Sequence, residues 1–217
     1  MTEQYTDVDF CLSLIELGWS NERLMATKGF SWSIVAHDAA ILNALPADFN
    51  QWGLKNRLGK TVAHLHVQGN SFPADSENWR LKDDAGNSVA RVAIARGTLP
   101  EDFDQWDADE IDLPLPHMYL EMNESLPPGF NAWEITNPAG YPVAHLAADQ
   151  DALPDDFTRW DIQSSPWNPF EEPESVADRV RRGSSLRQKA LLEAWLIKNE
   201  IRAHEDSAPA IVRRTTI

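Results

Sequence analysis

Bulky apolar residues recur along the middle of the chain at one long, fixed interval. Tryptophans stand 27 residues apart, at Trp52, Trp79, Trp106, Trp133 and Trp160. A Leu-Pro or Phe-Pro pair keeps the same interval, at Leu45–Pro46, Phe72–Pro73, Leu99–Pro100, Leu126–Pro127 and Leu153–Pro154. Two ladders in one register indicate a tandem repeat, with five repeats over residues 26–160.

Each repeat carries the signals of one turn and two short helices. Asn137 and Gly140 favour a tight turn, and the compact apolar residues of 143–148 favour a first helix after it. Pro154 suits a first helical position, and the acidic residues that follow it suit the start of a second helix over 154–160. The expected order is therefore turn, helix, helix.

A repeat this short cannot bury its own aromatic residues, so neighbouring repeats must stack and share a core. We predict a mainly all-α fold: a solenoid of five 27-residue turn-helix-helix repeats with helical caps at both ends. The alternative is an α+β fold with a hairpin in each repeat, in which Trp79, Leu81, Val89 and Val92 line strands around the turn at 83–86.

Two segments, Leu58–Leu65 (LGKTVAHL) and Asp83–Gly97 (DDAGNSVARVAIARG), resemble the ankyrin repeat. The ankyrin pattern is a turn followed by Gly-x-Thr-Pro-Leu-His-x-Ala; here Val62 and Ala63 replace its Pro and Leu. The repeat is also shorter than the roughly 33 residues of ankyrin arrays, which indicates a shortened second helix. The resemblance implies an ankyrin-like array that binds protein along one face, with no catalytic residues.

The segments outside the array have their own signatures. Residues 1–25 predict an N-terminal helical cap, residues 161–183 a linker with a short helix, and residues 184–217 a C-terminal helix with a mobile tail. Helical spacing in the last segment relates five apolar residues: Leu186, Ala190, Ala194, Ile197 and Ile201. We interpret that helix as a cap over the last repeat; a dimerisation or partner helix, giving a homo-oligomer, is the alternative.

The net charge of −15 argues against direct binding to nucleic acid, which relies on Lys and Arg. The charge is concentrated: between Arg96 and Arg159 there are fourteen Asp or Glu and no Lys or Arg. This run predicts a surface for a basic protein; the alternative is an acidic surface that only confers solubility. The candidate partner-binding residues are Glu101, Asp102, Asp104, Asp107, Asp109, Glu110, Asp112, Glu121 and Glu124.

The sequence gives little support for a catalytic site or a metal site. The chain has one cysteine, Cys11, and no apolar run near the ~18 residues of a membrane span, so we expect a cytoplasmic protein without cofactors. His37, His64 and His145 share one repeat position. Adjacent repeats place such residues roughly 8–10 Å apart, too far for one zinc ion with ligands at ~2 Å, so we predict that they bridge the backbone between adjacent turns.

These observations favour a protein-interaction module whose acidic repeats bind a basic partner. A sharper version is an inhibitor that imitates nucleic acid, of the anti-CRISPR or immunity-protein type, with a nucleic-acid-binding enzyme or complex as its partner. One alternative is a self-assembling structural protein, in which the acidic repeats of one copy meet Arg179, Arg181 and Arg182 of another. The other is an enzyme whose site lies near His117, Tyr119 and Glu121, in the most divergent repeat.

Overall fold

The fold is helical in a computed structural model that describes residues 35–45, 47–108, 113–165, 168 and 171–207. These residues form seven α-helices and no β-strand, which confirms the all-α class there and makes the α+β alternative wrong. The helices are α1 (Val35–Ile41), α2 (Val62–His66), α3 (Val89–Arg96), α4 (Leu115–Asn123), α5 (Val143–Asp149), α6 (Val176–Gly183) and α7 (Leu186–Ser207). The expected N-terminal cap, residues 1–25, lies outside the described part of the chain. None of the described helices has the length and apolar character needed to cross a bilayer.

The turn before a helix closes through one antiparallel bridge instead of a hairpin. The bridges join Lys55 to Thr61, Lys82 to Ser88 and Gln163 to Ser175. In each case the second residue of the bridge is also the N-cap of the helix that follows. Pairing therefore stops after one bridge, because the hydroxyl of the capping residue accepts a backbone N–H of the helix and turns the chain into it.

The prediction of a second helix in each repeat is wrong. After Pro73, Pro100, Pro127 and Pro154 the chain makes a single turn, seen in the bonds from Phe103 N–H to Pro100 O (3.2 Å) and from Phe157 N–H to Pro154 O (3.1 Å). Within the described residues, only the 3-10 helix Glu77–Arg80 forms in this part of a repeat. The segment from Pro to Trp is too short to offset the cost of helix nucleation, and its Phe and Trp gain more by packing against each other.

Edge-to-face aromatic contacts hold the repeats of the N-terminal body, which ends at Asn137, in a continuous row. The row runs through eight rings with centroids 4.8 to 5.5 Å apart: Phe49, Trp52, Phe72, Trp79, Phe103, Trp106, Phe130 and Trp133. Ser76 occupies a position that is Phe in the other repeats, and Phe72 takes over its ring contacts. Since Trp79, Trp106 and Trp133 are buried, the prediction that the repeated tryptophans form a core is confirmed for them.

The C-terminal body begins at Pro138 and contains α5, α6 and α7. Helix α6 lies in the segment where we expected a linker and a short helix. It starts as α2 does: Val176 N–H donates to Ile162 O (3.0 Å) and Ala177 N–H donates to Trp160 O (3.1 Å), and equivalent bonds open α2. Helix α6 thus opens with the same backbone bonds as α2, although extra residues in the turn before it break the 27-residue register.

Helix α7 packs against α6, but not through the predicted apolar face. Gln188 and Leu192 are buried in this packing, and the Gln188 side-chain amide donates to Ala147 O at 3.3 Å. The predicted apolar residues Leu186, Ile197 and Ile201 are exposed instead. Helix α7 thus turns toward the body the side opposite the apolar row that helical spacing identified.

Candidate protein-binding surface

Histidines at one repeat position fasten each helix to the following turn. The Nε2 atom of His64 lies 2.9 Å from the carbonyl oxygen of Asn87, and its Nδ1 lies 2.7 Å from the Thr61 hydroxyl. Because a carbonyl only accepts, Nε2 carries the proton and the hydroxyl donates to Nδ1. His37 and His145 reach the equivalent carbonyls of Lys60 (3.3 Å) and Glu174 (2.8 Å). The prediction that these histidines bridge the backbone of adjacent repeats is confirmed.

Arg91 stands at the histidine position of its own repeat, and its longer side chain also joins its helix to the following turn. Its guanidinium donates to the carbonyl oxygen of Leu113, in the next turn, and lies 3.5 Å from the sulfur of Met118. Sequence reasoning did not identify this role, although the register that aligns Arg91 with His64 was its signal. Within the described ranges, no three potential metal ligands come together.

The turn at Asp83 forms a second link between repeats. The buried Asp83 carboxylate accepts the backbone N–H groups of Ala85 and Asn87, both at 2.9 Å, and pairs with Lys60 from the preceding repeat. Burial alone would raise its pKa, but the hydrogen bonds from Lys60 and Asn87 outweigh burial and lower the pKa to about 2. Asp83 is therefore ionised at neutral pH and fixes one turn against the next.

Five carboxylates form what we name the acidic surface: Glu101, Asp102, Asp104, Glu121 and Glu124. All five are exposed, and none makes an ion pair within the described part of the chain. Three of them flank buried Phe103 in the segment that leads to buried Trp106. Because these rings are anchored in the aromatic row, the backbone between them is fixed and its carboxylates face solvent.

Three carboxylates near the C-terminal end of the acidic run have a structural role: Asp149, Asp151 and Asp155. In the C-terminal body, Arg179 binds Asp149 with two hydrogen bonds, of 2.8 and 2.6 Å. Arg187 pairs with Asp151 (3.3 Å) and Asp155 (2.6 Å), and its hydrogen bond to Asp155 is the main factor that raises its pKa. The run is therefore divided: Asp149, Asp151 and Asp155 are paired with arginines of the same body, whereas the carboxylates of the acidic surface make no ion pair.

The remaining predicted partner-binding residues lie elsewhere. Asp107 is exposed and pairs with Arg80 at 2.7 Å, an exposed contact of small energetic value. Asp109, Glu110 and Asp112 lie outside the described residues.

Helix stability does not account for the acidic surface. Glu121 and Glu124 lie at the C-terminal end of α4, whose last turn has no basic residue, and negative charge there opposes the helix dipole. Helix α3, by contrast, ends with Arg96. Glu101 and Asp102 begin no helix, so the expected explanation that acidic residues after proline stabilise a helix start does not hold.

The residues proposed for an unrecognised enzyme site do not converge. His117 is buried, Tyr119 packs edge-to-face on Trp106 with ring centroids 5.5 Å apart, and Glu121 is exposed. His117 and Glu121, four residues apart, lie on one side of α4, but Tyr119 is two residues from each and points elsewhere, so the three side chains do not converge.

Comparison with known proteins adds no identification: no protein-family model, curated protein or solved structure matches this chain significantly.

Proposed function

We propose that the chain is an ankyrin-like repeat scaffold that binds a basic surface of a partner protein through its acidic surface. The observation that carries this proposal is that five carboxylates of the N-terminal body are exposed and make no ion pair, and that three of them lie on a backbone fixed by buried rings. Such a surface keeps its charges in place before binding, so little conformational freedom is lost in the complex. It also attracts a basic partner over a distance set by salt.

The ankyrin-like assignment is supported by the motif that suggested it. Thr61 caps α2, and His64 joins that helix to the next turn, so the residues that resemble the ankyrin pattern are those that couple neighbouring repeats. The repeat differs in replacing its second helix by a proline turn and an aromatic pair. We place this scaffold in the cytoplasm, where its single cysteine would stay reduced.

A narrower form of the proposal is an inhibitor that imitates nucleic acid. Five carboxylates without a neighbouring cation resemble the phosphates of a nucleic-acid strand in charge, and residues 97–158 contain no Lys or Arg. The target in this form is a nucleic-acid-binding enzyme or complex, whose basic groove the acidic surface occupies.

The alternative of self-assembly through the arginine-rich segment has less support. Arg179 is bound to Asp149, Arg181 pairs with Asp178 at 2.9 Å, and Arg182 pairs with Glu174 at 2.9 Å. Binding the acidic repeats of another copy would require these contacts to break first.

The test compares two variants of equal charge. The surface variant replaces all five carboxylates of the acidic surface with Gln or Asn. The matched control replaces five exposed carboxylates elsewhere: Asp48, Asp75, Glu77, Asp156 and Glu172. Wild type and both variants are immobilised in parallel, exposed to cell lysate, and eluted with a salt gradient before identification by mass spectrometry.

The proposal expects a basic protein that wild type and the control capture and the surface variant does not, eluting at moderate salt. For the inhibitor form, duplex DNA added to the captured complex should displace the partner. Equal capture by all three proteins would contradict the choice of surface, and elution that does not depend on salt would contradict an electrostatic mode.

A further inference from the structure

Helix α7 has two apolar faces, and only one of them is used. The face toward the C-terminal body contains buried Gln188 and Leu192, with Trp195 and Asn199 half-buried further along. At 3.6 residues per turn, a second row of apolar residues lies roughly 170° away around the helix. This row, which we name the α7 stripe, consists of Leu186, Ala190, Ala194, Ile197 and Ile201, all of them exposed.

The exposure of the α7 stripe is unusual for residues of this size. Leu186 is 86% exposed, Ile197 58% and Ile201 53%, whereas Leu192 on the opposite face is 2% exposed. The stripe runs from Leu186 to Ile201 of this helix, so it extends along about 22 Å. A continuous apolar row of this length, bordered by charged residues, is typical of a surface that is covered in an assembly.

The spacing of the stripe fits a helix pair. Ala190, Ala194, Ile197 and Ile201 are separated by 4, 3 and 4 residues, the alternation of d and a positions in a heptad. Alanines at the N-terminal half of this seam let a partner backbone approach closely, and isoleucines fill the C-terminal half.

The charges beside the stripe bear on the direction of the two helices. In this register Glu193 and Glu200 occupy g positions and Lys198 occupies an e position. In a parallel pair of identical helices, a g residue faces the e residue five positions later on the other helix, so Glu193 of each copy meets Lys198 of the other. At the end of the helix the same register sets Glu200 against Glu205, which is of like charge. An antiparallel pair would bring g against g and place glutamates together.

We propose that the α7 stripe is covered by α7 of a second copy of this chain, in a parallel helix pair with two symmetric Glu193–Lys198 contacts. This inference is independent of the acidic surface, which lies in the N-terminal body. It also differs from assembly through the arginine-rich segment, because apolar burial drives it and the arginine ion pairs remain intact.

Sedimentation of the full chain over an about hundredfold range of protein concentration tests the pair. Wild type should pass from monomer to dimer. Replacing Ile197 and Ile201 together with Glu should leave a monomer throughout. The control is Leu196→Glu, which introduces the same chemistry on α7 outside the stripe and should still dimerise; circular dichroism verifies that each variant is folded.

Charge exchange tests the direction of the helices. Glu193→Lys alone and Lys198→Glu alone each place like charges together twice and should raise the dimer Kd about tenfold. An equimolar mixture of the two variants should dimerise as wild type does, because each pair between positions 193 and 198 is again of opposite charge. The inference is overturned if wild type stays monomeric, which would leave the stripe to another partner or to the chain's own tail. A dimer unaffected by the two isoleucine substitutions, or one tightened by Glu193→Lys, would also overturn it.

Discussion

The contribution to stability of the packing between neighbouring turns can be measured by substituting one glycine. Gly59 has a φ of 71°, and its carbonyl accepts the backbone N–H of Asp84 in the next repeat at 3.1 Å. A Cβ atom at Gly59 would overlap the side chain of Asp84, with contacts well under 3.0 Å. Gly86 is its equivalent one repeat later, with a φ of 85° and no atom within 4 Å of such a Cβ. Both positions therefore require a left-handed backbone, but only at Gly59 would an added Cβ atom overlap a neighbouring side chain.

The left-handed backbone and the overlap with Asp84 each contribute to the stability that alanine would lose. Alanine in a left-handed conformation costs about 1–2 kcal/mol, offset in part by about 0.4–1 kcal/mol from the stiffer unfolded chain. Gly86→Ala should therefore lower the free energy of unfolding by about 1 kcal/mol. Gly59→Ala carries the same cost and adds strain of about 1–3 kcal/mol. Asp84 cannot move away freely, because its carboxylate is also held by Lys55 at 2.7 Å.

Urea unfolding followed by tryptophan fluorescence measures both losses. With a slope near 2 kcal/mol per molar urea, an extra loss of about 2 kcal/mol moves the midpoint by about 1 M. Combining Gly59→Ala with Asp84→Gly should restore most of the extra loss, since it removes the overlapping side chain. Equal midpoints for Gly59→Ala and Gly86→Ala would refute the claim that tight packing between turns couples the repeats.

Three further predictions concern single side chains. The pKa of Asp83 is about 2 in the folded protein, against 3.8 for the free carboxyl. Its ionised form therefore contributes about 2 kcal/mol to the free energy of unfolding above roughly pH 4, and this contribution is lost as the pH falls toward 2. Asp83→Asn should remove this part of the pH dependence of the urea midpoint. Burial lowers the pKa of His64 and His145 below 6.5, so the Tm should fall as the pH drops below 6.5. The fall should be less steep in His64→Gln. A Tm that does not depend on pH below 6.5 would contradict the buried, neutral state of these histidines. Glu124 has a φ of 60° at the end of α4, so Glu124→Gly should stabilise the protein by about 0.5–1 kcal/mol in urea unfolding, whereas Glu121→Gly, inside the helix, should destabilise it.

The repeat was predictable because its strongest signals are local and periodic. The positions of the tryptophans and prolines, and the caps Thr61 and Ser88, can be read directly from the chain. The second helix could not be assigned correctly, because a proline followed by acidic residues opens a helix and a single turn equally well. Competition between nucleation cost and the packing of Phe157 on Trp160 decides between them, and only the tertiary contact reveals which one prevails.

The acidic surface could be located only in part, for a different reason. A run of like charges in sequence shows where carboxylates are, but not which of them meet a cation from a distant segment. Arg179 and Arg187 reach Asp149 and Asp155 across a gap of about 30 residues, and neither periodicity nor composition predicts these pairs. The same limit applied to α7, where helical spacing identified the apolar row correctly but could not show that the opposite row is the one that packs.

Where the carboxylates remain unneutralised, they also lie where they do least for the fold. Glu121 and Glu124 oppose the dipole of α4, and Glu124 adopts a backbone conformation that glycine would occupy at lower cost. Basic residues or glycine would be the stabilising choices at these positions, as Arg96 and Gly97 are at the end of α3. Charges kept against local stability are characteristic of binding surfaces. This is the physical reason for assigning the partner to this part of the run and not to the carboxylates that Arg179 and Arg187 neutralise.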